Sequence, residues 1–86
     1  MITREIVVKC SSGLQAKSAA VFIQKASLFK SNIWIEKEER KANAKSLLGL
    51  LSLGIGCNAK ITVTASGEDE VDALEALEGF LASSNL

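Results

Sequence analysis

The chain has 86 residues, 48% of them hydrophobic and 23% charged, which makes one small domain over residues 1–86 and excludes a disordered polymer. No apolar run approaches the roughly 20 residues of a membrane span, and zero net charge gives no support for nucleic acid as a bulk partner. Histidine is absent, which rules out a histidine general base, a phosphohistidine carrier and any histidine-containing metal site.

The opening stretch Met1–Glu5 has neither a basic leader nor an apolar segment, so a cytoplasmic protein is expected. Ile6, Val8 and Cys10 alternate with Val7 and Lys9, and Ile2 and Arg4 extend the pattern. This predicts a half-buried strand over Ile2–Lys9. Ser11-Ser12-Gly13 breaks it. Ala16, Ala19, Ala20, Ile23 and Ala26 then recur at three- and four-residue steps, with Phe22 and Phe29 alongside. That is the spacing of an amphipathic helix with Lys17, Gln24 and Lys25 on its wetter side. The helix starts directly after the loop, which puts Gln15 and Lys17 near free backbone N–H groups. Ser31-Asn32 reads as a turn, and Ile33–Lys37 as a strand with Ile33 and Ile35 inward. Arg40–Asn43 returns as an edge strand. Glu38-Glu39 lacks the positive-φ preference of Asn-Gly, so the turn between them should be longer or looser than two residues.

Ser46 and Gly54 bracket a short helix, the serine as N-cap and the glycine as the left-handed residue past its end. Leu47, Leu48, Leu50, Leu51 and Leu53 lie nearly all round it, more leucine than one buried stripe uses. Some of that surface should face outward beside Ser46, as a docking patch with a switchable charge at its edge. After a connecting loop, Gly54–Ala59, comes the clearest strand, Lys60–Ser66, with Ile61, Val63 and Ala65 on one face and hydroxyls on the other. Gly67 ends it, and the last helix begins near Asp69 with Val71, Leu74, Leu77, Phe80 and Leu81 as its buried stripe. Glu68, Asp69, Glu70 and Asp72 read as a cap and dipole-matched acids on a solvated face, with no metal implied. The tail, Ala82–Leu86, should fray.

Two distributions add to this. Residues 1–60 carry all ten basic side chains and four acids, while residues 61–86 carry six acids and no base, so the molecule should have a basic and an acidic end. Cys10 and Cys57 match no paired metal-ligand spacing and read as small semi-buried thiols. One antiparallel register of the first and last strands brings Cys10 opposite Cys57–Asn58, where oxidation could close a disulfide; the reduced form is expected in the cytoplasm.

The element order is βαββαβα, an α+β architecture. Three helices can cover one face of a four-stranded, mostly antiparallel sheet and leave the hydroxyl-bearing face wet. An RNA-binding ferredoxin-like module shares much of this order but stacks bases on sheet aromatics, and this chain offers only Trp34.

Gly13-Leu14-Gln15-Ala16-Lys17-Ser18-Ala19-Ala20 and Asn43-Ala44-Lys45-Ser46-Leu47-Leu48-Gly49-Leu50, at this separation, resemble the HPr family of the bacterial sugar phosphotransferase system. The similarity runs end to end and includes Ser66-Gly67-Glu68-Asp69-Glu70. It implies an open-faced β-sandwich, with three helices on one side of a four-stranded sheet. Gln15 stands where the family carries its phosphorylated histidine, and a neutral amide nitrogen cannot pass phosphate on. Lys17 replaces an arginine and loses its bidentate grip; Ser18 replaces a proline. A phosphoenolpyruvate-dependent phosphocarrier is therefore excluded on chemistry. Glutamine at that position with the serine motif retained is similar to the family's Crh branch, the catabolite-repression HPr-like proteins.

That resemblance implies phosphorylation of Ser46 by HPr kinase/phosphorylase, followed by binding to a LacI-type catabolite control repressor as corepressor. Lys45, Ser46, Gly49 and Ser52 match the kinase-site motif, and Gln15, Lys17, Ala20, Lys45, Leu47, Leu48 and Leu51 are the expected partner-binding residues. Taken alone, Ser46 reads as an N-cap; the matched context implies a modification site. The alternative is an HPr-like module that regulates another metabolic enzyme or transport component by the same face, with the modification secondary or lost. No nucleophile–base pair is present, so an enzyme is not expected, nor is a cofactor. Monomer and dimer both stay open at this point, and a strand-swapped dimer is conceivable for so small a sheet with a short first strand.

Overall fold

The computed structural model describes residues 1–9, 16–56 and 58–82. Its elements are β1 (Ile2–Val7), α1 (Ala16–Ala26), β2 (Asn32–Lys37), β3 (Arg40–Asn43), α2 (Leu47–Leu53), β4 (Lys60–Ser66) and α3 (Glu70–Leu81). The strands form one sheet in the order β1-β4-β2-β3, with every neighbouring pair antiparallel. β4, the most regular β-former of the four, is central and pairs with β1 and β2. Strict alternation puts Ile6, Ile33, Ile35, Ile61, Val63 and Ala65 on one face, all buried, where they meet Phe22, Leu50, Leu74 and Leu77 of the three helices. Thr3 and Thr64 touch through their hydroxyls at 3.1 Å on the opposite, open face, and Trp34 lies there with the Lys41 ammonium 5.2 Å from its ring centroid. The α+β reading with one covered face holds.

Several local expectations are corrected. Regular pairing of β1 stops at Val7, not Lys9, because its partner strand turns at Asn58, where φ is 67°. Val8 still exchanges backbone bonds with Ala59 and Asn58, and Lys9 N–H reaches the Leu81 carbonyl. In α1 the buried line is Ala19, Phe22 and Ala26, while Ala20 is exposed. A phenylalanine removes far more apolar area from water than an alanine, so the helix rolls to bury Phe22. In α3, Val71 is 52% exposed and the stripe is Ala73, Leu74, Leu77 and Leu81, with Phe80 half-buried. The β2–β3 connection is a tight two-residue turn, since Lys37 pairs with Arg40, and Glu38 takes φ 58° to make it. Cys10 and Cys57 lie outside the described residues, as do positions 83–86.

Asp69 is not a simple cap. It stands before α3 but makes no side-chain capping bond. Its carboxylate instead reaches across to the α1–β2 connection, accepting from Lys30 N–H (2.8 Å), Ser31 N–H (3.0 Å) and the Ser31 hydroxyl. Glu70 supplies the local bond, accepting from Gly67 N–H at 3.1 Å and pairing with the Met1 ammonium at 3.1 Å.

Candidate functional site

The entry to α2 is assembled by Asn43. Its side-chain oxygen accepts from Lys45 N–H at 2.8 Å and its carbonyl accepts from Ser46 N–H at 3.0 Å. An asparagine two residues ahead of a turn makes this bond readily, because its short amide mimics a backbone carbonyl. Ser46 is thereby held extended, at φ −111° and ψ 116°, and its hydroxyl accepts from Gly49 N–H at 3.2 Å. The serine is the N-cap that its position predicts. At the other end Gly54 takes φ 63° and ψ 49°, its N–H bonds the Leu51 carbonyl, and Lys37 Nζ covers its own carbonyl at 2.7 Å.

The five leucines of α2 divide as the excess suggested. Leu50 and Leu53 are buried against the sheet, whereas Leu47, Leu48 and Leu51 are 42%, 80% and 40% exposed. On α1, which packs against α2, Lys17 and Ala20 are exposed as well. The structure therefore presents Lys17, Ala20, Leu47, Leu48 and Leu51 to solvent on two helices of one layer. Gln15 lies outside the described residues.

Lys45 makes a contact that no local pattern signals. Its ammonium donates to the Phe29 carbonyl at 2.8 Å, so the charge beside Ser46 is already engaged with the end of α1. The 29–31 connection is thus held from two sides, by Lys45 on its carbonyl and by Asp69 on its N–H groups. The Ser31 hydroxyl, followed by the Lys30 N–H, holds the Asp69 carboxyl below its ordinary value; for Glu70 the Gly67 N–H and then the N-terminus do the same. Sequence reading missed Asn43 and Asp69 as tie points. Asn43 was legible from its spacing to Ser46; Asp69 was not, since its partners are 38 and 39 residues away.

The chain is similar to proteins of one family. The family model described as "PTS HPr component phosphorylation site" matches residues 2–83. The HPr-like protein Crh of Halalkalibacterium halodurans is 48% identical over 81 residues, covering 94% of this chain and 96% of that protein. The crystal structure of HPr-C-His from Thermoanaerobacter tengcongensis superimposes with a TM-score of 0.91 at 42% identity, over 94% of this chain and 91% of that one. Crh of Bacillus subtilis, crystallised as a domain-swapped dimer, gives a TM-score of 0.79 at 41% identity, over 100% and 99%.

Proposed function

The chain belongs to the HPr family, and from that membership we propose that it is a regulatory protein of carbon catabolite repression, switched by phosphorylation of Ser46. Proteins of this family act as phosphocarriers or regulators and not as enzymes. The single observation that carries the reading is the juxtaposition at α2: a serine hydroxyl at the helix entry beside three leucines that the core does not use. HPr kinase/phosphorylase transfers the phosphoryl group of ATP to Ser46. The product adds about −1.5 to −2 charges and three acceptor oxygens at pH 7. A dianion at a helix entry is favoured by about 0.3–1 kcal/mol, too little to refold the domain. The modification therefore acts by presentation. Basic residues of a LacI-type repressor grip the phosphate, while an apolar groove takes Leu47, Leu48 and Leu51, with Lys17 and Ala20 contributing from α1. The phosphate also competes with the Phe29 carbonyl for Lys45. Gln15 leaves the phosphoenolpyruvate route closed. Self-association belongs to the same reading, with exchange of β1 between copies as the route to a dimer.

Two incubations and a titration test this. ATP with HPr kinase adds one phosphate by intact mass, and Ser46→Ala removes it while costing about 1 kcal/mol as a lost cap. Phosphoenolpyruvate with enzyme I adds none, and Gln15→His restores partial labelling. Calorimetry with the repressor gives binding of the phosphorylated protein only. Equal affinity in the two states would reduce Ser46 to a cap and favour a module that docks on another enzyme or transport component.

A further inference from the structure

Gly49 occupies the third position of α2, where its N–H donates to the Ser46 hydroxyl. Its φ is not positive, unlike those of Gly54 and Gly67, so backbone geometry does not require glycine there. Glycine inside a helix is also unfavourable relative to alanine, because the unfolded chain loses more freedom on folding. What glycine provides at this position is room. A Cβ built there would stand 3.3 Å from Ser46 Oγ, 3.5 Å from Ser46 Cβ and 3.2 Å from Ala42 Cβ. Each of the two closest approaches asks its neighbour to give by a few tenths of an ångström, which a hydroxyl capping a helix can do.

A phosphoryl group is more demanding than a hydroxyl proton. We propose that Gly49 is a positioning residue for phosphoryl transfer to Ser46, keeping open the space around Oγ that the incoming group must enter. The inference rests on the reading of Ser46 as the phosphorylation site. In the transfer, a lone pair of Ser46 Oγ forms the bond to the γ-phosphorus of ATP. The bond from that phosphorus to the β-phosphate oxygen breaks, ADP leaves, and the hydroxyl proton passes to a base on the kinase. The phosphorus arrives with three oxygens, which together fill much of the shell around Oγ. One sector of that shell is already taken by Gly49 N–H. A methyl group 3.3 Å away crowds the sector beside it as the phosphorus closes on Oγ, a demand that the free hydroxyl does not make.

The test compares phosphorylation by HPr kinase and ATP for the wild-type protein, Gly49→Ala and the double variant Ala42→Gly/Gly49→Ala. Thermal melts establish that each is folded. The second substitution removes the other close contact, so the double variant keeps the test open even where Gly49→Ala alone folds poorly. We expect kcat to fall about tenfold in both variants, equivalent to about 1.4 kcal/mol at the barrier. KM for the protein substrate stays unchanged because the exposed leucines are untouched. A wild-type kcat in Gly49→Ala would overturn the proposal. So would recovery of kcat in the double variant, which would assign the effect to packing on Ala42, or a raised KM with kcat intact, which would assign it to docking. A wild-type protein that takes no phosphate would overturn the reading of Ser46 and this inference with it.

Discussion

Glu38 takes φ 58° in a turn of two residues, a conformation that costs a side-chain-bearing residue roughly 1–2 kcal/mol. Asparagine tolerates it better through local hydrogen bonding, so Glu38→Asn should stabilise the domain by about 0.5–1 kcal/mol in urea unfolding. Gly67 has the opposite constraint. A Cβ there would fall 2.5 Å from Ser31 Oγ and 2.7 Å from Ser31 Cα, and Ser31 is buried and tied to Asp69. Gly67→Ala should therefore destabilise by about 1–3 kcal/mol, measured in the same way. Asp69 makes the clamp pH-dependent. Its carboxyl is held below the ordinary 3.8, so the unfolded chain takes up a proton before the folded one does. The stability it contributes is present above that ordinary value and is lost as pH falls through the lower folded value. Glu70, lowered from 4.5, acts in the same direction. Urea midpoints should fall across the acid range for the wild-type protein. Asp69→Asn should be less stable at neutral pH and show a flatter acid limb; equal slopes would remove Asp69 from this role.

At the scale of the element, α2 combines two demands in seven residues. Leu50 and Leu53 hold it to the sheet and the exposed leucines do not. Leu50→Ala should cost about 2–5 kcal/mol, since the site is fully enclosed and leaves a cavity. Leu48→Glu should change stability by no more than about 0.5 kcal/mol and should weaken binding of the phosphorylated protein to the repressor. Chemical denaturation beside calorimetry separates the two effects: a large stability loss in Leu48→Glu would mean that Leu48 packs and does not dock. α1 makes a related point. Its alanines mark a helix but do not choose its face, because the largest ring does.

For the whole molecule, the expected segregation of charge is partly cancelled by contacts between the first strand and the last helix. Arg4 pairs with Glu78 at 2.7 Å and the Met1 ammonium with Glu70, so basic and acidic segments neutralise one another across the fold. The same pair gives a test of the proposed exchange of β1. Both side chains are about two-fifths exposed, so the ion pair contributes only about 0.3–1 kcal/mol. In a mixture of Arg4→Glu and Glu78→Arg chains, an exchanged heterodimer restores both pairs, whereas each homodimer juxtaposes like charges. Native mass spectrometry of the mixture, unfolded together and refolded at high concentration, should show heterodimer above the statistical half. A statistical mixture would mean that β1 stays on its own chain.

What the sequence determined by itself was local or repeated. Alternation in Lys60–Ser66 set which side chains of β4 face inward, and Ser46 and Gly54 set the limits of α2, because capping and pleating act within four residues. The leucine excess foretold an exposed patch, since seven helical residues have only one side against a sheet. Motif spacing carried the family. The tertiary structure alone decided which α1 residues are buried, that Val71 faces solvent, and where Lys45 and Asp69 reach. Those outcomes depend on partners 16 to 39 residues away or on competition between faces for one core, and no local pattern encodes either. The room beside Gly49 belongs to this second kind: one side of it is bounded by Ala42 on β3, which only the fold brings there.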